Sequence, residues 1–544
     1  MAGIYPKHFS NCITFAVARS LSSFSSNINI ADSNKTKTFK QIPGPVRLPL
    51  IGNLYQYKFG KYKIYRYHEV LEDLYKKYGP LVRQDLGTST VIHIFDPEDI
   101  RTVYINEGTM PHVVPLQETA QLYRQERDMS LGLGNVNGEE WYKLRSAVRQ
   151  MMLRRKEVHY YLPLVQDVAT DFVKHIIRKR GKNGEIENLS DEVAKWSQES
   201  AGIVCFEMRL GCLNGGLEEE RAQTMVNANK VMFNLSALLK FSLPVYKYIS
   251  TPKWKKLLEA EDFFYRTATQ YVNTTINKID NLIQRNELPE GRYNFMTYLL
   301  SRKELSRKDV TIITFSLFAD GLSTTVPALL YNLYCLATNP EVQEKAYQEV
   351  SKHLKRGEPI TQAIINKLSY LKAVVKETFR LYPIGTEISR IIPKDLVLSG
   401  YHVPAKTHVN LNPHVHFKSE EYFPNALKFL PERWMRGGES SDIHPYLLTP
   451  FGHGVRTCAG MRFAEQDLHV ALCCILLNFK LQYPITDPLE QIYSTLLFPA
   501  GPKQKHELKS PFRASRMADR ACHAQMVEEM VKECKILDCM RVVL

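Results

Sequence analysis

Apolar residues recur at three- and four-residue spacing along most of this chain, the period of an α-helix with one buried face. The stripes predict helices over 159–181, 187–209, 218–242, 258–286, 308–338, 340–355, 362–381 and 460–480. Strand patterns are fewer. "VIHIF" at 91–95 reads as a strand, and "RIIPKDLVLSGYHV" at 390–403 as short strand pieces. Pro43 and Pro45 in "IPGP" fix their own backbone angles and disfavour helix just before them. Folded structure is therefore expected from residue 42. The chain contains no internal repeat and no low-complexity block. The pattern predicts one large domain over 42–502, mainly α with small β-sheets.

Composition agrees with a globular protein: 44% hydrophobic and 24% charged over 544 residues. A chain of this length buries enough apolar surface to need no covalent staples. Its ten cysteines are scattered without a CxxC pair, which argues against a disulfide framework and a zinc site and for a reducing compartment. The net charge of +14 suits nucleic acid, an anionic membrane or an acidic protein. No RNA-binding or zinc-finger signature accompanies it, so nucleic acid is not expected as a partner. Residues 1–31 contain Lys7 and Arg19, many serines and no acid. That is the composition of a mitochondrial transit peptide, and 1–41 is read as leader and linker. Its apolar stretch "ITFAVA" is far shorter than the roughly 20 residues that span a bilayer.

"FGHGVRTCAG" at 451–460 changes the picture. Gly452, Gly454 and Gly460 let backbone approach a bulky group. Arg456 offers a cation to an anionic ligand. Phe451 supplies an aromatic face. Cys458 precedes a helix whose N-terminus favours a thiolate. A thiolate beside glycines, a ring and an arginine suits a flat, dianionic macrocycle with a central metal, and haem fits, with Cys458 as the ligand to iron.

The loop resembles the cytochrome P450 signature Phe-x-x-Gly-x-Arg-x-Cys-x-Gly at all its fixed positions: Phe451, Gly454, Arg456, Cys458 and Gly460. Other motifs of that family occur in order over about 42–500. "KETFR" gives Glu377 and Arg380, and "FLPERW" gives Arg433; the resemblance implies a buried ionic network that holds the cysteine loop. "WYKLR" gives Trp141 and Arg145, which by resemblance reach a haem propionate, with Arg390 beside them. The implied fold is the cytochrome P450 fold, a single domain containing haem b with an axial thiolate.

The oxygen side departs from the family pattern. "DGLSTT" at 320–325 keeps Gly321 and Thr324 but has Ser323 where the family has an acid. Asp320 lies four residues before Thr324, on the same helical face, and either Asp320 or a water chain is a candidate to replace that acid in a proton relay with Ser323 and Thr324; a structural cap or ion-pair partner is the alternative reading of Asp320. Pro327 has no N–H and crowds the carbonyl of Ser323, so the helix is expected to open there.

Lys372 and Lys376 share one face of the Glu377 helix. They resemble the basic pair with which mitochondrial-type members dock a 2Fe–2S ferredoxin, itself served by an NADPH-dependent reductase. Arg462 keeps half of the Arg-Arg those members tend to carry after the last signature glycine. No Gly-rich dinucleotide motif comes after it, so electrons are expected from a separate protein. The resemblance thus implies a haem-thiolate monooxygenase at the matrix side of the inner mitochondrial membrane, inserting one oxygen atom of O2 into a lipophilic substrate, a sterol or steroid hormone first and a foreign compound second. The substrate-facing stretches would be 110–133, 225–248, 313–325, 384–389 and 495–500. The altered relay leaves an oxygen-independent isomerase or dehydratase, or a non-catalytic haem or sterol binder, as alternatives. Residues 503–544 have no counterpart in the family and read as a divergent tail with a helical stretch at 516–537.

Overall fold

Helix boundaries fall where capping chemistry permits them. The computed structural model describes residues 36–500, apart from 88, 183, 187, 288–292, 439–442 and 484–487. Most of the leader expected over 1–41, and all of the tail expected over 503–544, lie outside the described residues. Structure begins before the Pro43–Pro45 hinge: the N–H of Lys37 bonds Gly400 and its carbonyl accepts from His402, at 3.0 and 2.8 Å.

The first half of the chain holds α1 (Tyr67–Tyr78), α2 (Pro97–Asn106), α3 (Glu118–Glu126), α4 (Gly138–Met152), α5 (Arg155–Tyr160), α6 (Leu162–Lys179), α7 (Leu189–Phe206), α8 (Gly216–Lys240) and α9 (Pro252–Gln284). The second half holds α10 (Arg307–Thr338), α11 (Pro340–His353), α12 (Ser369–Leu381) and α13 (Met461–Asn478). Helices α1 to α5 are not among the predicted stripes, although α1 buries Tyr67, Val70, Leu71 and Leu74 and α4 runs for 15 residues. The stripe at 362–381 is broken at Leu368, which leaves a separate short helix, Gln362–Lys367, before α12.

Strands β1 (Leu81–Leu86) and β2 (Ser89–Ile94) pair antiparallel, with Leu81 opposite Ile94. β3 (Ile388–Ile391) and β6 (His408–Leu411) complete that sheet in the order β1-β2-β6-β3. β4 (Leu396–Leu398) with β5 (Tyr401–Val403), and β7 (Glu490–Ser494) with β8 (Leu496–Ala500), form two-stranded ribbons. The register sets Arg390 opposite Val409 at the sheet's last strand.

The centre is α10, packed along α7. It starts at a capping box in which Ser306 Oγ accepts from the N–H of Asp309 and Asp309 accepts from the N–H of Ser306, both at 3.1 Å. It is long and apolar enough to cross a membrane, but 78% of its most apolar window is buried inside the protein, so it is a core helix. It runs without a break through Pro327, which corrects the opening expected there. Packing on α7 outweighs one lost backbone bond. Glu377 and Arg380 on α12, and Arg433 in the single turn Pro431–Trp434, meet in a wholly buried cluster beneath this core.

Candidate functional site

The cysteine loop closes on itself through the N–H of Cys458, which bonds Phe451 O at 2.8 Å. Gly452 and Gly454 have φ of +72° and +77°, a conformation that side chains resist. A Cβ at Gly452 or Gly460 would meet nothing within 4 Å, and one at Gly454 would lie 2.3 Å from Glu107 Oε1. Phe451 sets its ring against the edge of Phe379 of α12, centroids 5.5 Å apart, which couples the loop to the ionic cluster.

That cluster has its polar groups engaged. Glu377 Oε1 takes Arg380 Nη2 at 2.7 Å, Arg433 Nε at 3.1 Å and the N–H of Leu430 at 3.0 Å. Its Oε2 takes Arg380 Nε at 3.0 Å and Trp434 Nε1 at 2.8 Å. Arg380 spends its remaining donors on the carbonyls of Phe417, Ala426 and Lys428. Buried charge is tolerated under such full satisfaction.

Burial pushes the Cys458 thiol up, and the Asp320 carboxylate adds to this; the N–H groups of Gly460 and Met461 and the Arg145 guanidinium pull the other way. The sulfur is nonetheless solvent-accessible. An accessible thiol with a buried environment borders an inward-facing space. The same space touches α10. Along that otherwise buried helix, Ser316, Leu317, Asp320, Gly321 and Thr324 form one accessible stripe, at the four-residue spacing of a single face.

Three guanidiniums and an indole rim this space. Arg145 Nη2 donates to Thr457 O at 2.7 Å. Arg456 Nε donates to Pro111 O at 2.7 Å, and its Nη2 to Val136 O and Asn137 Oδ1 at 2.9 and 2.8 Å. Its guanidinium lies 4.3 Å from the centroid of Trp141. Arg390 gives Nε to Glu107 Oε2 at 2.5 Å and bonds the carbonyls of Ser389 and His453. Burial pushes Arg456 down to about 9, and Arg390 and Arg145 push it further while Glu107 opposes them. Among the described residues, Arg456 Nη1, Arg145 Nε and Nη1, and the Trp141 indole N–H meet no acceptor. Crowded cations with idle donors around an accessible thiol fit a dianionic, metal-centred ring such as haem: Cys458 would hold the metal, and Arg145, Arg390, Arg456 and Trp141 the two carboxylates.

The opposite wall is built differently. Ser323 is wholly buried; its Oγ donates to Ala319 O at 2.8 Å and lies 3.4 Å from Asn229 of α8. It faces α8 and lies off the accessible stripe. Thr324 is on the stripe, its Oγ1 donating to Asp320 O at 2.7 Å. Burial pushes the Asp320 carboxyl up to about 6, and Arg124 of α3 opposes this. Glu261 of α9 is buried too and is pushed up to about 7, again opposed first by Arg124. Arg124 donates from Nη1 to Leu131 O at 2.5 Å and stacks 5.5 Å from Phe315. Sequence reading reached Arg124 and Asn229 only as members of the stretches 110–133 and 225–248, and missed Glu261 and Glu107: no local pattern marks them.

The five substrate-facing stretches converge. Thr119 Oγ1 bonds Ser236 Oγ at 2.7 Å, Gln117 reaches Thr495, Leu497 bonds Ile384 O, and Asn229 meets Ser323. On the cysteine side, Lys376 is exposed, its ammonium 4.0 Å from the Trp434 ring centroid. Lys372 is half-buried, donating to Asn366 O at 3.2 Å. Burial lowers the pKa of both; at Lys372, Glu349 and Glu465 oppose this and Arg155 adds to it. Arg462 is paired with its own neighbour Glu465 at 3.0 Å and is a weaker candidate for a partner.

Residues 42–506 match the family described as Cytochrome P450. The chain is 43% identical to the probable cytochrome P450 CYP44 of Caenorhabditis elegans over 472 residues, 86% of this chain and 93% of that protein. It is 34% identical to cytochrome P450 10 of Lymnaea stagnalis over 509 residues, 89% of each chain. It is 30% identical to the mitochondrial 1,25-dihydroxyvitamin D(3) 24-hydroxylase of Mus musculus over 467 residues, 86% of this chain and 88% of that protein.

Proposed function

The chain belongs to the cytochrome P450 family and is a haem-thiolate monooxygenase, and from that premise we propose that it works in mitochondria, receives electrons from a 2Fe–2S ferredoxin and oxidises a lipophilic sterol or steroid. Haem, when bound, supplies the redox chemistry that places one oxygen atom of O2 in a C–H bond and releases the other as water. The chain's own residues do the rest. Cys458 would ligate the metal, and Arg145, Arg390, Arg456 and Trp141 would hold the two carboxylates. Phe451, packed on Phe379 of α12, would offer its ring to the group. The apolar stretches around α10 orient substrate and exclude bulk water. Asp320 and Thr324 carry protons on the α10 stripe: a carboxyl pushed up to about 6 exchanges its proton near neutrality.

The observation that carries the ferredoxin reading is the pair Lys372 and Lys376 on one face of α12, Lys376 exposed and Lys372 half-buried. Such a face steers an acidic partner and weakens with salt. Two observations support the compartment. The leader is acid-free over residues 1–31, and relatives such as the mouse 24-hydroxylase carry "mitochondrial" in their names. Peripheral attachment to the inner membrane is supported by the loop after α8, where Tyr248 and Ile249 are 87% and 65% exposed. Tyr57 lies against Phe241 at the end of α8, ring centroids 4.6 Å apart, and Phe59, two residues later, is 79% exposed.

The test is reconstitution. Ferredoxin with its reductase supports turnover, and Lys372→Glu with Lys376→Glu raises the ferredoxin Kd roughly tenfold at low salt while leaving substrate binding unchanged. Turnover with a microsomal flavoprotein reductase and none with ferredoxin would overturn donor and compartment together.

A further inference from the structure

Glu107 comes directly after α2, buried, with its carboxylate on the rim formed by the three guanidiniums. Its Oε2 accepts from Arg390 Nε, and its Oε1 fills the space that a side chain at Gly454 would need. Burial pushes its pKa up; Arg390, His453 and Arg456 oppose this, with Arg390 the strongest. Every charge that acts on Arg456 belongs to one small group: Arg390, Glu107 and Arg145. Arg149, a turn beyond, acts on Arg145 alone in this group.

We propose that Glu107 is the counter-charge of the haem-carboxylate cradle: three guanidiniums and one carboxylate leave two net positive charges, the number that two propionates neutralise. The inference rests on the haem reading of the site. Buried charge is stable only when compensated. Three uncompensated cations around two anions would leave one charge over, close to the metal, where it would favour the reduced iron. Glu107 removes that surplus and holds Arg390 at Nε, while the two Nη groups of Arg390 bond the carbonyls of Ser389 and His453. Gly454 then has a second reason to be glycine here: its missing side chain is the room that the carboxylate occupies.

The test is charge cancellation in the holoprotein. Glu107→Gln keeps a hydrogen-bond acceptor for Arg390 and deletes the charge, so the iron's reduction potential moves to more positive values. Arg390→Gln moves it to more negative values. The double variant Glu107→Gln with Arg390→Gln restores two net charges, so its potential returns close to that of wild type. Transfer of haem to apomyoglobin, timed on the same samples, is faster in both single variants than in the double. A purely structural Glu107 gives another pattern: the Gln change leaves the potential unmoved, and the two defects add in the double variant. That result overturns the proposal. Should Glu107→Gln alone fail to take up haem, the same step is read in the Arg390→Gln background, where the shift must again be positive. A wild-type protein that takes up no haem would sink the haem reading itself; a loaded wild type with unmoved potentials in the variants sinks only the role of Glu107.

Discussion

The two faces of the inward space handle buried charge in opposite ways. Below the cysteine loop, Glu377 accepts five hydrogen bonds from four residues. Opposite it, the buried Arg124 is within electrical reach of the buried Glu261 and of Asp320 on the accessible stripe, with no direct ion pair to either. A satisfied network has one low-energy arrangement and fixes a geometry. An unsatisfied one keeps its pKa values displaced and its donors free, as proton transfer and substrate recognition require. Rigidity is thus concentrated on the side that holds the metal, and titratable freedom on the side that meets substrate.

The largest effect is expected where the satisfied network is broken. Glu377→Ala leaves Arg380 and Arg433 buried without a carboxylate. Removing one partner of a buried ionic group costs about 3–5 kcal/mol. The variant should therefore be recovered in low yield, with little haem per protein and a Tm well below that of wild type. A stable, fully loaded Glu377→Ala protein would dissolve the contrast between the two faces.

How much of this was legible in the sequence depends on distance along the chain. The cysteine loop is ten consecutive residues, and its chemistry can be read from their order. Glu377 and Arg380 are one helical turn apart, so they too are local. Arg124, Glu261 and Asp320 come from α3, α9 and α10 and meet only after folding; no spacing rule links them. Glu107 is likewise silent, because its role is set by Arg390, 283 residues later. The setting of Ser323 was not legible either, because a motif position does not fix which way a side chain turns. Its neighbour Asn229 on α8 does. The long apolar helices were visible, whereas the short helices α2, α3 and α5 take their stability from packing more than from pattern; α1 and α4 carry an apolar stripe that was not read.

On the unsatisfied face the effect is a change of pH response. Asp320 sits at about 6, above its ordinary value near 3.8. Its folded form therefore binds the proton more tightly than its unfolded form does. Its contribution to stability is complete below about pH 4 and is lost as pH rises through about 6. Asp320→Asn abolishes that loss: the variant should melt above wild type at pH 8, and the gap should close toward pH 4. If Asp320 also delivers protons, the Asn variant turns over on the order of 10²-fold more slowly and lacks the limb near pH 6 in the rate profile. Equal pH dependence in both proteins would remove Asp320 from the relay.

The smallest effect is expected at Ser323, and it separates the two residues most sharply. The family pattern puts an acid at this position, yet the Ser323 hydroxyl is tied to Ala319 O and turned toward Asn229. Truncating it in Ser323→Ala removes one hydrogen bond to a carbonyl that the helix already engages, which costs about 1 kcal/mol. Because the hydroxyl is off the accessible stripe, the rate should fall less than twofold and the limb near pH 6 should persist. Placing the family's acid there, as Ser323→Asp, would instead bury a carboxylate against Asn229 with no cation beside it, and should lower stability more than Ser323→Ala does. A large loss of turnover in Ser323→Ala at unchanged Tm would return Ser323 to the proton path and put Asp320 beside it, not in its place.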